Sequence, residues 1–434
     1  MDPIQTLYHA FLKGAAICTD TRKIEKGCIF FALKGANFNG NTFAKQAVAE
    51  GAAYAVIDES IGMDNEVFVR VEDVLTCLQN LALHHRLQLK IPFIGITGSN
   101  GKTTTKELVS RVLSQKFNTL YTQGNLNNHI GVPLTLLSVK SHHEIAVIEM
   151  GANHQKEIEL LCSIARPTHV LITNVGKAHL EGFGGFEGVK KGKGEMYDFA
   201  KANNALAFIN DDNSILKEML GSYELTFKYG QQNTCDVIGK LLSGSAYVNL
   251  EWKKKNDLTY HTIQSKITGS YNFENILSAI AVGVHFNIET ANIKKAVEEY
   301  IPDNHRSQEI IIGSKHIILD AYNANPTSME AAIKNFNTSF KGKRAVFLGD
   351  MLELGETSLS EHQSVLNLAS NCGFDTLVFV GPNFKLAGKG NNAFYFENSN
   401  EAREWIRSQN LDGYTILIKG SRGSKMELLL EAFQ

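Results

Sequence analysis

The amino-acid sequence predicts an α/β protein of three domains, at residues 1–80, 81–303 and 304–434. The chain has 434 residues, and a chain of this length usually divides into several domains, each with its own hydrophobic core. Short apolar runs typical of strands alternate along it with stretches typical of helices, the pattern of mostly parallel sheets covered by helices. Hydrophobic residues make up 43% and charged residues 20%, so enough apolar side chains are present to fill such cores.

The N-terminal domain is predicted from a short strand–helix–strand pattern. A strand is expected within Gly27–Gly35, an apolar run bounded by glycines that follows the polar segment Asp20-Thr21-Arg22. Thr42–Glu50 is predicted to be a helix that leads into the strand Tyr54–Ile57. These elements indicate a small, self-contained α/β domain.

The central and C-terminal domains each show a longer alternating series. In the central domain the predicted elements are the strands Pro92–Ile96, Ile145–Glu149, His169–Thr173 and Ala205–Ile209 and the helix Lys106–Leu113. In the C-terminal domain the predicted strands are Ile317–Asp320, Ala345–Leu348, Thr376–Val380 and Thr415–Ile418. The second series predicts a doubly wound, Rossmann-like domain of ordinary size.

Composition and charge argue against several classes of function. Lys and Arg total 43 against 45 Asp and Glu, a net charge of −2, so no basic field is present for nucleic-acid binding. The N-terminus lacks a signal-peptide pattern and no apolar run approaches the length of a membrane span, so a cytoplasmic location is expected. The six cysteines form no Cys-x-x-Cys pair, which predicts buried thiols rather than a zinc site or disulfides. The chain is expected to act as a monomer.

The segment Thr97–Thr105, Thr-Gly-Ser-Asn-Gly-Lys-Thr-Thr-Thr, carries the clearest chemistry in the sequence. It lies between a predicted strand and a predicted helix, so its glycines sit on a turn that points backbone N–H groups at an anion. Lys102 can reach the β- and γ-phosphates, and the Thr103 hydroxyl can ligate Mg²⁺. Only two residues separate the glycines, so this is a shortened variant of the usual phosphate-binding loop. It predicts a bound nucleoside triphosphate; the alternative is a glycine turn that happens to precede a lysine.

Polar residues follow two further strands at their carboxyl ends, where open α/β sheets bind ligands. Glu149 ends one strand, and His179 lies on the loop after the next. A carboxylate and an imidazole there could ligate Mg²⁺ ions that bridge phosphate oxygens, although Mg²⁺ prefers oxygen to imidazole. The alternatives are a helix-capping or salt-bridging carboxylate for Glu149 and a hydrogen-bonded loop histidine for His179.

Several segments in order along the chain resemble those of the Mur ligases, which add amino acids to the peptide of UDP-N-acetylmuramic acid in peptidoglycan synthesis. They are Asp20–Arg22, Gly27–Gly35, Gly98–Thr103, Asn125–Pro133, Glu149–Asn153, Gly269–Asn275, His305-Arg306, Asp320–Pro326 and Lys419–Arg422. The resemblance covers essentially the whole chain. It implies an N-terminal domain that binds the uridine nucleotide, a central P-loop ATPase-like domain and a Rossmann-like C-terminal domain.

The resemblance also implies roles for individual residues. The ATP-binding residues would be Gly98, Ser99, Asn100, Gly101, Lys102, Thr103, Thr104, Asn275 at the adenine, Arg306 at the phosphates and Asp320 at the ribose. The substrate-binding residues would be Thr21, Arg22, Asn125, Asn128, Asn323, Asn325, Lys419 and Ser421. Thr103, Glu149, His179 and Lys193 would hold two Mg²⁺ ions, and Lys102, Glu149, His179 and Lys193 would form the catalytic set.

The role of Lys193 comes from the resemblance alone, since a basic cluster such as Val189–Glu195 otherwise reads as a solvated helix face. In the family, the lysine two residues before a glutamate in this segment is carbamylated, and Lys193-Gly194-Glu195 fits that spacing. Carbamylation would convert a cation that repels Mg²⁺ into an anionic oxygen ligand. Lys190 and Lys191 are the competing assignments.

The resemblance implies a ligase that uses ATP to activate a substrate carboxylate as an acyl phosphate, which an incoming amine then attacks. The members that add the third residue carry Asp-Asn-Pro-Arg after a C-terminal strand, whereas Val378–Val380 is followed here by Gly381-Pro382-Asn383 without an arginine. The segments Leu348–Gly355 and Tyr322–Pro326 instead resemble those of the members that add D-alanyl-D-alanine, so the expected reaction is addition of D-alanyl-D-alanine to UDP-N-acetylmuramoyl-tripeptide. The alternatives are a ligase that adds the third residue and a non-catalytic nucleotide-binding scaffold.

Overall fold

The chain is mixed α/β and forms two compact units in the computed structural model, which describes residues 2–60, 62, 65–303, 306–388 and 393–434. The first unit comprises residues 1–95, 118–151 and 157–169, and the second comprises residues 96–117, 152–156 and 170–434. His305 of the segment His305-Arg306 lies outside the described residues. The α/β fold class is confirmed, while the domain limits near residues 80 and 303 stay a prediction.

The first unit contains a small parallel sheet with the strand order Ile17–Cys18, Ile29–Phe31, Tyr54–Ile57 and Phe68–Arg70. The strand predicted within Gly27–Gly35 is shorter than expected. The Leu33 N–H donates to the Phe31 carbonyl at 2.9 Å, a tight turn that ends the ladder. Lys34–Gly35 then pairs with Phe38–Asn39 in a separate two-stranded hairpin.

Helices cover this sheet and supply its core. The helix predicted at Thr42–Glu50 is a 3₁₀ turn, Gly40–Phe43, followed by an α-helix, Ala44–Ala49. Cys18, Cys28 and Phe30 are buried against Ala44 and Ala47 of that helix. The other helices of the first unit are Pro3–Leu12, Val74–Gln88, Gly131–Leu137 and Glu157–Ala165. The unit also contains the strand Thr119–Tyr121, which pairs in parallel with the predicted strand Ile145–Glu149.

The N-terminal half of the second unit contains the phosphate-loop helix and five successive strands. The helix begins at Lys102 rather than at Lys106 and ends at Leu113, because Gly101 in a left-handed conformation caps it. Three of these strands pair in parallel: Leu206–Asn210, Thr226–Gly230 and Val237–Leu242. The sheet continues with two antiparallel strands, Tyr247–Lys254 and His261–Thr268. Other helices here are Leu180–Phe183, Phe186–Asn203, Ser214–Leu220, Asn272–His285 and Thr290–Glu298. The strands Phe93–Thr97 and His169–Ile172 begin in the first unit and end in the second.

The residues after 306 form the predicted doubly wound domain. Its six-stranded sheet has the order Gln308–Ile312, Lys315–Asp320, Thr415–Lys419, Arg344–Gly349, Thr376–Val380 and Phe394–Phe396. The first pair is antiparallel and the other pairs are parallel. These strands are connected and covered by the helices Pro326–Ser339, Ser358–Ser370, Pro382–Ala387 and Ser399–Ile406. The 3₁₀ turns Gly355–Thr357, Arg422–Ser424 and Met426–Ala432 also connect them. Leu319, Phe347 and Ile418 are fully buried in its core.

The prediction of buried thiols is confirmed for five of the six cysteines and is wrong for Cys372. Five cysteines are buried as free thiols, and Cys372 is partly exposed. None of the helices in the described ranges combines the length and the apolar character that crossing a membrane requires.

Candidate nucleotide and ligase site

The phosphate loop requires glycine at both of its glycine positions. Gly98 has φ 142° and Gly101 has φ 80°, values that side chains rarely adopt. A Cβ on Gly98 would lie 2.0 Å from Thr173 Oγ1, and one on Gly101 would lie 2.5 Å from Asn275 Oδ1. The loop backbone is therefore pressed against its neighbours, and its N–H groups gather at the start of the helix Lys102–Leu113, a ready anion site.

A neighbouring strand end holds this loop in shape. Thr173 Oγ1 donates to the Asn100 carbonyl at 2.6 Å, while Asn174 Oδ1 accepts the Asn100 N–H at 3.0 Å. Ser99 Oγ accepts the Gly176 N–H at 2.9 Å, and the Ser99 N–H donates to the Asn174 carbonyl at 2.9 Å. The Thr173–Gly176 segment, whose role was not predicted from the sequence, therefore fixes the loop through both side chains and backbone.

Lys102 and the threonines after it occupy the positive end of the helix. Lys102 Nζ donates to the carbonyls of Gly98 at 2.6 Å and Ser99 at 3.2 Å, so the ammonium lies over the loop. Thr103 and Thr104 are buried in the first turn of the helix. Backbone N–H groups, a cation and a hydroxyl at one helix N-terminus are the donors that bind a polyphosphate and its metal ion.

Asn275, predicted to contact adenine, packs against the phosphate loop and the first turn of its helix in this structure. Its Oδ1 accepts a hydrogen bond from Thr105 Oγ1 at 3.1 Å, and its Nδ2 donates to Asn272 Oδ1 at 2.8 Å. The side chain is buried beside Gly101. Contact with adenine stays a prediction.

The C-terminal helix Pro326–Ser339 brings two further residues to the central loops. Asn325 caps this helix by accepting the Ser328 N–H at 2.9 Å, and its amide nitrogen donates to Asn100 Oδ1 at 2.8 Å. Thr327 Oγ1 accepts the Lys177 N–H at 3.0 Å. Asn325, predicted to bind substrate, is thus engaged by the phosphate loop.

The other predicted residues of this domain lie on adjacent strand ends and loops. Lys419 Nζ forms a 2.5 Å ion pair with Asp320, and Lys419 is only 2% exposed. Ser421 Oγ accepts the Leu352 N–H at 3.1 Å. The exposed Asn323 accepts the N–H of the next residue through Oδ1 at 2.9 Å. The ribose and substrate roles of these residues stay predictions.

Arg306 contacts an aromatic ring of the C-terminal domain. Its guanidinium carbon lies 3.9 Å from the centre of the Tyr322 ring, and that of Arg422 lies 5.9 Å from the same centre. An arginine stacked on a ring keeps its charge and its planar set of donors. Its predicted role at the phosphates is compatible with this position and stays a prediction.

His179 adopts a left-handed backbone conformation, φ 53°, and its Nδ1 contacts a carboxylate oxygen of Glu353. The hydrogen bond from His179 holds the pKa of Glu353 below its ordinary value, against the opposite effect of burial. The Glu353 carbonyl also accepts the Glu181 N–H at 3.2 Å. From the sequence, Glu353 could be placed only in the segment Leu348–Gly355 and given no role, because its contact with His179, 174 positions away, forms only on folding.

Lys193 differs from its two basic neighbours in burial. It is 1% exposed, its Nζ donates to the Ala152 carbonyl at 3.3 Å, and it lies 5.2 Å from the centre of the Phe183 ring. Lys190 instead forms a 2.6 Å surface ion pair with Glu218, which raises the pKa of Lys190, and Lys191 is exposed. The solvated-face interpretation fits Lys190 and Lys191.

The first unit holds the remaining predicted residues. Glu149 is buried at its strand end, and its Oε1 accepts a hydrogen bond from Asn127 Nδ2 at 2.8 Å. Asn128 Oδ1 accepts the Ile130 N–H at 3.1 Å and the Gly131 N–H at 2.8 Å in the turn that leads into the helix Gly131–Leu137, and Asn125 is exposed. Asn127 lies in the segment Asn125–Pro133, and its contact with Glu149 was not predicted from the sequence.

Thr21 and Arg22 lie at the surface of the first unit in a short 3₁₀ turn capped by Asp20. The Arg22 guanidinium donates to Asp20 at 2.7 Å, and this contact holds the pKa of Asp20 at about 2. The pair keeps the turn in shape, and its contact with a uridine nucleotide stays a prediction.

Among the described residues, no three His, Cys, Asp or Glu side chains come together as a metal site. The predicted ligands include only one imidazole and one carboxylate, so such a cluster is not required. The predicted ligands also include the hydroxyl of Thr103. Thr103 is buried next to the phosphate-loop glycines, where neighbouring atoms leave no room for a Cβ. A hydroxyl at that position fits a Mg²⁺ ion shared with phosphate oxygens.

A glycine loop of this geometry between a strand and a helix defines a phosphate-binding α/β protein. Three family models match the chain: the Mur ligase family catalytic domain at residues 15–86, the Mur ligase middle domain at 96–283 and the glutamate ligase domain at 305–422. The chain belongs to the Mur ligase family, and it is an ATP-dependent ligase.

Curated relatives and solved structures match nearly the full length. The UDP-N-acetylmuramoyl-tripeptide--D-alanyl-D-alanine ligase of Bacillus subtilis is 33% identical over 98% of this chain and 93% of its own. The enzyme of the same name from Escherichia coli is 34% identical over 96% and 93%. MurF from Acinetobacter baumannii has a TM-score of 0.88 at 31% identity, covering 99% of this chain and 98% of that chain. These similarities confirm the family predicted from the sequence.

Proposed function

We infer that this chain catalyses the ATP-dependent addition of D-alanyl-D-alanine to UDP-N-acetylmuramoyl-tripeptide in peptidoglycan synthesis. The observation that carries this inference is the similarity, over 98% of the chain at 33% identity, to a relative with that activity in its name. The phosphate loop and the Mur ligase middle domain that contains it support the use of ATP. The missing Asp-Asn-Pro-Arg segment supports the dipeptide over a single amino acid as the amine.

The proposed reaction has two steps, and the residues of this chain act by positioning and by charge neutralisation. A carboxylate oxygen of the tripeptide attacks the γ-phosphorus, and the bond from phosphorus to the bridging oxygen breaks, giving an acyl phosphate and ADP. The amine of D-alanyl-D-alanine then attacks the acyl carbon, loses a proton and expels phosphate. Lys102 and the loop N–H groups would neutralise the transferred phosphoryl group, and Arg306 would approach it from the C-terminal domain.

Thr103, Glu149, His179 and Lys193 are proposed to hold two Mg²⁺ ions, which supply Lewis-acid neutralisation of the phosphate oxygens when bound. The buried hydroxyl of Thr103 and the left-handed, carboxylate-bound His179 support this assignment. For Lys193 we propose a carbamate, supported by the burial that separates it from Lys190 and Lys191. A cytoplasmic, monomeric enzyme remains our expectation.

The test is a phosphate-release assay with the purified chain, ATP, Mg²⁺ and UDP-N-acetylmuramoyl-tripeptide. Turnover is expected with D-alanyl-D-alanine and not with single amino acids. Turnover of the UDP-muramoyl-dipeptide with a diamino acid would instead identify the ligase that adds the third residue. Nucleotide binding without turnover in any combination would favour the non-catalytic scaffold.

The carbamate has its own test. Lys193→Ala should lose nearly all turnover, whereas Lys190→Ala and Lys191→Ala should stay active under equal Mg²⁺ and bicarbonate. Activity of the unmodified chain should fall in CO₂-depleted buffer and return with bicarbonate, because a carbamate releases CO₂ reversibly. Full activity of Lys193→Ala would contradict the assignment.

A further inference from the structure

The contact between His179 and Glu353 joins a proposed metal ligand to a residue from the C-terminal domain. Glu353 lies in the segment Asp350–Gly355, which follows the strand Arg344–Gly349. His179 Nδ1 faces a Glu353 carboxylate oxygen, and the Glu353 carbonyl accepts the Glu181 N–H at 3.2 Å. The side chain of Glu353 therefore contacts His179, and its backbone contacts the short helix Leu180–Phe183 that follows.

The structure around Glu353 fixes its position. Glu353 has φ 61°, a left-handed conformation uncommon for residues other than glycine. The two preceding residues are tethered, since the Met351 N–H donates to His362 Nε2 at 3.0 Å and the Leu352 N–H donates to Ser421 Oγ at 3.1 Å. An uncommon backbone conformation directly after two tethered residues indicates that the fold holds the carboxylate in place.

The chemical consequence concerns the two nitrogens of the imidazole. A carboxylate beside Nδ1 accepts its N–H, which leaves the lone pair on Nε2. Metal-binding histidines commonly make this contact with an outer carboxylate, which orients the ring and increases its basicity toward the metal. Glu353 would thus present His179 with Nε2 available as a ligand.

We propose that Glu353 is a positioning residue for the metal site: it orients His179 from the C-terminal domain, so that His179 becomes a good ligand only when that contact is made. The proposal rests on the proposed function, because it requires His179 to bind the metal. The competing interpretation is an ion pair with a purely structural role. The side chain of Glu353 is 53% exposed, so the pair contributes little to the stability of the fold. The two interpretations differ in whether metal binding depends on Glu353.

A second ion pair on the same loop provides a matched control. Lys177 Nζ pairs with Glu361 at 2.5 Å, linking this loop to the helix Ser358–Ser370 without touching the imidazole. Glu361→Gln should weaken the attachment of the loop and leave the orientation of the ring unchanged. Glu353→Ala should weaken the attachment and also release the ring.

The experiment measures Mn²⁺ binding to the full chain with a non-hydrolysable ATP analogue, by electron paramagnetic resonance. Glu353→Ala should weaken Mn²⁺ binding roughly 10- to 100-fold and reduce the nitrogen coupling of the bound imidazole. Glu353→Gln, which keeps an acceptor oxygen, should restore part of the coupling, and Glu361→Gln should match the unmodified chain. Thermal unfolding of each variant verifies that it is folded.

His179→Ala separates this inference from the proposed function. If His179→Ala weakens Mn²⁺ binding and Glu353→Ala does not, the positioning role is overturned while the metal assignment stands. If His179→Ala binds Mn²⁺ as the unmodified chain does, the metal assignment and the positioning role are both overturned. Equal loss in Glu353→Ala and Glu361→Gln would reduce Glu353 to a structural contact and also overturn the proposal.

Discussion

Substitution of Gly98 by alanine tests how the phosphate loop binds nucleotide. Gly98 has φ 142°, and an alanine Cβ would lie 2.0 Å from Thr173 Oγ1 and 3.1 Å from the backbone nitrogens of Thr173 and Asn174. The backbone conformation alone costs of order 1–3 kcal/mol for a residue with a side chain. Moving Thr173 also breaks its 2.6 Å hydrogen bond to the Asn100 carbonyl, at about 1 kcal/mol.

Together these costs amount to about 2–4 kcal/mol for the loop in its present shape. If the loop deforms to avoid them in the free protein, the cost reappears when nucleotide binds. At roughly 1.4 kcal/mol per tenfold change, Gly98→Ala should weaken binding of Mg-ATP about 30- to 1,000-fold. Isothermal titration calorimetry at fixed Mg²⁺ measures this change directly.

Two further variants separate steric conflict from a general effect of removing glycine. Gly342 also has a positive φ, 83°, but no atom lies within 4 Å of the Cβ that alanine would add there, so Gly342→Ala should leave nucleotide affinity unchanged. Thr173→Ala in the Gly98→Ala background removes the closest conflict, and the double variant should bind more tightly than Gly98→Ala alone. If Gly98→Ala binds Mg-ATP within about threefold of the unmodified chain, the loop accommodates a side chain at this position at a cost below 1 kcal/mol. That result would contradict the steric conflict proposed for Gly98.

Three other predictions follow from the same structure. Lys102→Ala should abolish phosphate release while uridine-nucleotide binding, assigned to the N-terminal domain, stays nearly intact; parallel loss of both in calorimetry would contradict this division of roles. Asn325→Ala should lower the stability of the chain by about 1–2 kcal/mol in urea unfolding, because it removes a helix cap and the 2.8 Å bond to Asn100; no measurable change would count against both contacts. Burial lowers the pKa of His362 against the opposing effects of the Ser358 carbonyl, Asp350 and Glu361, so its contribution to stability is present above about pH 6.5 and is lost as pH falls below that value. The midpoint temperature of thermal unfolding should therefore fall more steeply between pH 7.5 and 5.5 for the unmodified chain than for His362→Gln. Equal slopes of midpoint against pH would exclude this role of His362.

The elements that the sequence predicted well are those with local signals. The strands Tyr54–Ile57, Ile145–Glu149 and Thr376–Val380 have the predicted limits, because an apolar run between polar turns is enough to mark a buried parallel strand. The antiparallel pair Tyr247–Lys254 and His261–Thr268 was not predicted. Its alternate residues are lysine, glutamate and glutamine on the more exposed face, so no continuous apolar run marks either strand.

The candidate site divides in the same way. Lys102 and Thr103 could be assigned from the sequence because their chemistry depends on neighbours within a few residues. Asn127, Thr173 and Glu353 could not, because each acts through a contact formed only by folding: with Glu149, with Asn100 and with His179, respectively. Their residue types are common on protein surfaces, so nothing local distinguishes them.

Asn325 shows how a structural contact limits a functional role predicted from resemblance. Its amide oxygen already accepts the Ser328 N–H, and its amide nitrogen already donates to Asn100 Oδ1. An amide has two acceptor lone pairs and two N–H groups, so one of each is left in this arrangement. A substrate that uses the remaining groups would bind to a side chain already held by the helix and the phosphate loop. Its binding would then be sensitive to the conformation of that loop, because Asn100 holds one end of the same amide.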